Sequence, residues 1–252
     1  RVALKTGADF AEIFIEETRT NTIVCEDNKI EKISSGIDSG AGIRVIAGDE
    51  TIYITETDLS LETLIKVAER AGSSQSGKAK GTVELKPSVP VRSVYAEGMV
   101  RPETVAIEKK SEMVRRLNQT ARSFGERIKQ VTVRYADSNQ AVTIANSDGI
   151  YVEDNRIRSR YFINVIAARD DIVQTGYEAP GIAGGFELFD QYPPEEYARK
   201  AAERALRMLD APHAPAGKMM VVLSSEAGGT LIHEACGHAL EADFILKGTS
   251  IF

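Results

Sequence analysis

Apolar and polar residues alternate one for one through two separate stretches of this 252-residue chain, and each stretch leads into a segment whose apolar residues return every three or four positions. A period of two puts neighbouring side chains on opposite faces of a strand, whereas the longer period builds one face of a helix. A chain written this way can fold as sheets with helices packed on one side and as little else. The first round contains "ADFAEIFIEE", "NTIVCED", "KIEKIS", "GIRVIAG" and "TIYITET", which read as short strands separated by Gly, Asn and Asp turn signals, with "AGDET" at Ala47–Thr51 as a hairpin tip. "LSLETLIKVAERAG" then predicts a helix with Leu61, Leu64, Ile65 and Ala68 on one face and Gly72 as its stop.

The second round opens with a long amphipathic helix in "RPETVAIEKKSEMVRRLNQTARSF". It continues through the strands of "KQVTVRYAD", "QAVTIANSDG", "IYVEDNRIRSRYFINVIAARD" and "DIVQTGYEAPG", and closes with a helix in "PPEEYARKAAERALRMLD". "VEDNRI" at Val152–Ile157 echoes "CEDNKI" at Cys25–Ile30, and "ARKAAERA" echoes "IKVAERA", as divergent copies of one plan would. The expected fold class is therefore α+β, with two antiparallel meander-plus-helix units over residues 1–90 and 91–252. Their boundary falls in "SSQSGKAKGTVELKPSVPV", Ser73–Val91, rich in Ser, Gly, Lys and Pro and without a sustained period. "GIAGGFELFD", Gly181–Asp190, reads as a turn-rich connection or a flap, and the basic run "ERIKQVTVR" as a solvated strand face. A last strand is expected in "KMMVVLSS", Lys218–Ser225, running into a helix near the C-terminal end.

Composition excludes several classes. With 27% charged and 42% hydrophobic residues and a net charge of −6, neither a nucleic-acid-binding surface nor a disordered chain is suggested. No apolar run approaches the length that spans a bilayer, and the N-terminus lacks the layout of a signal peptide, so a cytoplasmic location is expected. Cys25 and Cys236, the only cysteines, stand in unlike contexts and form no disulfide framework.

Chemistry concentrates in "TLIHEACGHALEADF", Thr230–Phe244. Zinc peptidases usually carry H-E-x-x-H, which sets two imidazoles about 40° apart around a helix so that both reach one ion. Here His233 and His238 are five apart and would diverge by about 140° in a regular α-helix. A local i to i+5 turn would return them to one face, and Gly237 is the residue type that could permit it. His233 and His238 would then be nitrogen ligands, with Glu234 as the base that takes a proton from metal-activated water. Zinc catalysis needs a third ligand. Cys236, Glu241, Asp243 and the remote His213 are the candidates within the chain, and a ligand beyond Phe252 is the preferred expectation. A histidine pair can equally be structural, Cys236 is more ordinarily a small apolar filler than a nucleophile, and Gly228 and Gly229 lack the lysine of a phosphate-binding loop.

Taken whole, "TLIHEACGHALEADFILKGTSIF" resembles the signature of the TldD/PmbA family, in its TldD-type form with H-E-x-x-x-H followed by "GTS". "GAGIRVIAGDETIYITETDLS" is similar to that family's first meander, and the chain as a whole resembles the N-terminal half of such a protein. The resemblance implies a zinc metallopeptidase with His233 and His238 on the metal, Glu234 as catalytic base and a cysteine ligand from the C-terminal domain, a role for neither Cys25 nor Cys236. It also implies an extended peptide substrate, a homodimer or a heterodimer with a PmbA-type subunit, and no direct contact with membrane or nucleic acid. Family members are linked to processing of modified peptides such as microcins, to degradation of small unfolded proteins, and historically to modulation of DNA gyrase. The expected function is peptide-bond hydrolysis through metal-activated water, with this fragment alone inactive or nearly so. The alternative is a non-catalytic assembly or adaptor domain with structural histidines.

Overall fold

The computed structural model describes residues 2–73, 84–87 and 99–252, and divides into two compact units, Arg1–Ala211 and Pro212–Phe252. In the first unit, β1 (Phe10–Glu26), β2 (Lys29–Ala47) and β3 (Glu50–Glu56) form an antiparallel meander that leads into α1 (Leu61–Ser73). After a two-residue strand, β4 (Lys86–Pro87), and the helix α2 (Ile107–Arg122) comes a second meander of β5 (Ile128–Asn146), β6 (Ile150–Arg169) and β7 (Ile172–Glu178). A short β8 (Gly181–Ile182), α3 (Leu188–Gln191) and α4 (Pro194–Leu209) complete the unit. β1 and β5 pair antiparallel, which joins both meanders in one sheet of order β3-β2-β1-β5-β6. The outer edge of β6 is shared by β4, β8 and β7. Most of the expected linker, residues 74–83 and 88–91, lies outside the described residues.

Several strands expected to be short are long. "ADFAEIFIEE" and "NTIVCED" fall on the single strand β1, and "KIEKIS" and "GIRVIAG" on β2. Threonines and arginine at 18–20 do not interrupt β1, because it is held on both sides, with Thr18 opposite Asp38 on β2 and Gln140 on β5. The hairpin between β1 and β2 turns through Asp27 and Asn28, both at positive φ (46° and 68°), the left-handed pair that matches the twist of the flanking strands.

One face of the sheet carries two cores. Ile43, Val45 and Val67 with Ala71 of α1 fill the first, and Ile23, Val133, Tyr135, Ile163 and Val165 with α2 and α4 fill the second. Register explains the shared face: Ile13 lies opposite Ile43, Ile23 opposite Tyr135, and Tyr135 opposite Tyr161, all on the same side of the pleat. The expected apolar stripe of α1 is only partly used. Leu61 is 75% exposed and Leu64 and Ile65 line an open apolar hollow of about 600 Å³. Val67, Ala71 and Gly72 are the buried positions, because the helix is seated at its C-terminal end, where a Cβ on Gly72 would stand 2.7 Å from the Ala3 carbonyl oxygen.

The helix echo is topologically real. α1 and α4 each follow the third strand of a meander, and the echoed positions Val67 and Ala71 on one, Ala201 and Ala205 on the other, are buried on both. The strand echo is not, since "CEDNKI" spans the β1–β2 turn whereas "VEDNRI" lies inside β6. "GIAGGFELFD" is neither flap nor plain connection: Phe186, Leu188 and Phe189 plug the second core, with the Phe189 ring stacked 5.2 Å from Tyr161.

Four fully buried alanines, Ala198, Ala201, Ala202 and Ala205, let α4 lie close on the sheet at Gly176 of β7. A Cβ there would be 1.9 Å from the Ala201 carbonyl oxygen and 2.6 Å from the Ala205 nitrogen, both backbone atoms that cannot rotate away. Gly176→Ala is expected to destabilise the protein by about 3 kcal/mol, the upper end for overpacking a core, with a lowered urea midpoint as the readout.

The second unit contains α5 (Ser225–Ile232), a π-helical turn (His233–Gly237), a 3₁₀ turn (His238–Leu240) and α6 (Ala242–Leu246). The strand expected at Lys218–Ser225 is absent: residues 218–224 are extended without a sheet partner, and Met220 and Val222 are 95% and 93% exposed. Alternation supplies the pleat, but an isolated strand has no ladder to hold it. No described side chain of this unit is buried. No helix among the described residues is long and apolar enough to cross a membrane.

Candidate metal centre

Ser224 starts the motif helix, its side-chain oxygen accepting a hydrogen bond from the Ala227 amide at 3.4 Å. α5 continues to Ile232, and the helix then widens by one residue. The His238 amide donates to the His233 carbonyl, the i to i+5 bond that defines the turn His233–Gly237. The widening absorbs the extra residue of H-E-x-x-x-H. The two imidazoles come to one side with their ring centroids 4.5 Å apart and their planes at 67°.

Gly237 serves this turn differently from the expectation. Its φ of −58° and ψ of −57° are open to any residue, so no glycine conformation is used. What matters is the missing side chain: a Cβ would sit 3.3 Å from His233 Nδ1, inside ordinary contact distance, and would press the ring from its place.

Ligand atoms of His233, Glu234 and His238 all lie within 4.8 Å of one another, and all three side chains are exposed. His238 Nε2 stands 3.6 Å from Glu234 Oε2. Its other nitrogen, Nδ1, donates to Glu241 Oε1 at 2.5 Å. That hydrogen bond, with the negative charges of Glu241 and Glu234, holds the His238 pKa above the usual histidine range. The bond also orients the ring, leaving Nε2 toward Glu234 and His233. Two imidazoles and a carboxylate converging in this way fit a divalent metal of the nitrogen- and oxygen-binding kind, zinc among them.

The other third-ligand candidates are placed elsewhere. Glu241 holds the outer nitrogen of His238, Asp243 faces Lys247 at 3.5 Å, and neither Cys236 nor His213 joins the cluster. Sequence reasoning weighed Glu241 only as a ligand; its place three residues after His238, on the next turn, was the available sign of an orienting role. Cys25 is buried in the second core, where desolvation pushes its thiol pKa up, and has no role in the cluster.

The comparisons agree with this motif. A metalloprotease of Methanothermobacter thermautotrophicus is 32% identical over 98% of this chain and 54% of its own length. A metalloprotease TldD homolog of Haemophilus influenzae is 29% identical over 97% of this chain and 52% of its own. The chain thus spans about half the length of the curated relatives it matches. The crystal structure of a proposed modulator of DNA gyrase from Bacteroides thetaiotaomicron shares the fold with a TM-score of 0.75 and 17% identity, covering 98% of this chain and 56% of that one. Residues 11–74 match the family model described as PmbA/TldA metallopeptidase domain 1, residues 100–209 the central domain, and residues 216–252, which hold the histidine motif, the C-terminal domain. The chain belongs to the PmbA/TldD metallopeptidase family.

Proposed function

We propose that the full-length protein is a zinc-dependent, cytoplasmic peptidase that hydrolyses peptide bonds of unfolded or modified peptides held in extended form, working as a homodimer or with a PmbA-type subunit. The observation that carries the reading is the π-helical turn, which gathers His233, Glu234 and His238 within one ion's reach although a regular helix would point the two histidines in different directions.

In this reading His233 and His238 hold the metal through ring nitrogens, and a further ligand joins them from outside the described cluster. A bound zinc supplies a Lewis acid that lowers the pKa of water and polarises a peptide carbonyl. Glu234 takes the proton from the attacking water at its carboxylate and returns it to the leaving amine. Glu241 holds His238 by Nδ1, so that the ring is already aimed when the metal arrives. Residues 1–252 alone would have little or no turnover, because two histidines leave a zinc site short of its usual three protein ligands.

The test is the zinc content and peptidase activity of the natural full-length chain, beside a sample of residues 1–252. About one zinc per chain and turnover in the first sample only is the expected result; a full-length chain that takes up no metal when zinc is supplied would leave the histidines structural. Glu241→Ala in the full-length chain is expected to weaken zinc binding about 10- to 100-fold, measured by competition with a chromophoric chelator, because the His238 ring is then free to rotate.

A further inference from the structure

The two meanders differ in how their second strands end. On β6, the outer edge is covered by β4 at Ile150–Tyr151, by β8 at Ser159–Arg160 and by β7 from Ile163 onward. On β2, β3 covers only Ala41–Ala47. From Ile30 to Gly40 the outer edge of β2 pairs with no strand among the described residues, and residues 31–38 are all exposed. Ile33 and Ile37, 50% and 64% exposed, sit there on one side of the pleat. A long open edge with exposed isoleucines is a template for another strand, and natural sheets rarely leave one uncovered.

We propose that this edge pairs antiparallel with the same edge of a second copy, joining two sheets across a twofold axis at Ser35. Two independent features choose that register. Antiparallel pairing about residue 35 sets residue 30 opposite residue 40, so it fills the open stretch from end to end and stops where β3 begins at Ala41. The same register sets Ile33 opposite Ile37 and Lys32 opposite Asp38, each twice by symmetry. A twofold axis normal to the sheet keeps each side of the pleat continuous only when the residues of a pair differ by an even number, which leaves the neighbouring axes at Ser34 and Gly36. An axis at Ser34 sets Lys32 against Gly36 and Asp38 against Ile30, and an axis at Gly36 sets Lys32 against Gly40 and Asp38 against Ser34. Neither matches the charges or the isoleucines. The occupant is therefore a second copy, because the strand is complementary to itself.

The inference deepens the dimeric aspect of the proposed function and rests on it, but its readout is independent of catalysis. Sedimentation of the full-length chain is expected to show a dimer. Ile33→Lys with Ile37→Lys, both at exposed positions, should give monomers with unchanged zinc content. Lys32→Asp alone and Asp38→Lys alone should each raise the dimer dissociation constant at least about tenfold, since every substitution acts twice, and the two together should restore it. Ser35→Cys should form an intermolecular disulfide under mild oxidation, opposite strand positions being about 4.5–5.5 Å apart at Cα. A dimer indifferent to all of these would put the interface elsewhere, and a wild type that stays monomeric at high concentration would overturn the proposal. Failure of the peptidase reading would show separately, as absent zinc or absent turnover in a dimer that still responds to the edge substitutions.

Discussion

Glu234→Gln in the full-length chain should lower turnover on an unfolded peptide by about 100- to 10,000-fold while zinc content stays at the wild-type level. Glutamine keeps the size of the side chain and its hydrogen-bonding oxygen but cannot hold a proton at pH 7, so only the proton transfer is removed. The measurement also decides between two roles that the geometry leaves side by side. Glu234 is close enough to both histidines to count as a donor to the metal as well as a base. Loss of zinc in parallel with turnover would make it a ligand; retention of both would remove the catalytic reading and favour an assembly role.

The largest effect on stability is expected at a site with no catalytic role. Lys110 of α2 and Asp137 of β5 form an ion pair of 2.7 Å with side chains 3% and 4% exposed, and Asn21 of β1 donates to the second oxygen of Asp137 at 2.9 Å. Lys110 Nζ also lies 5.6 Å from the centre of the Tyr135 ring. Asp137→Ala leaves a buried ammonium without its partner and should cost about 3–5 kcal/mol, a large share of the roughly 5–15 kcal/mol that holds a domain together. Lys110→Met combined with Asp137→Leu removes both charges and should cost much less, because the desolvation of two ions is then no longer incurred. Urea unfolding of the wild type, the single variant and the double variant measures both. A single variant as stable as the double would show that water reaches Lys110 once the carboxylate is gone.

Much of this was legible from the residues alone. Alternation at period two and return at three to four named the strands and helices and their repeated order, because both are local consequences of where Cβ points. The extra residue between His233 and His238 required a widened turn if the rings were to meet, a matter of angle per residue that needs no tertiary information. What alternation could not say was where a strand stops, since that depends on partners remote in sequence: β1 runs through Thr18 because Gln140 is opposite, and "KMMVVLSS" forms nothing because no strand is. Nor could spacing say that Gly237 is needed for the room it leaves at His233, or that α4 demands a glycine at 176. Local periodicity determined the elements and the chemistry of the motif, while tertiary pairing decided strand length, which helix face is buried, and that the β2 edge at Ile33 and Ile37 remains open. The reason is physical: dihedral preferences act over a few residues, but a hydrogen-bond ladder and a packed face exist only when the chain returns to meet itself.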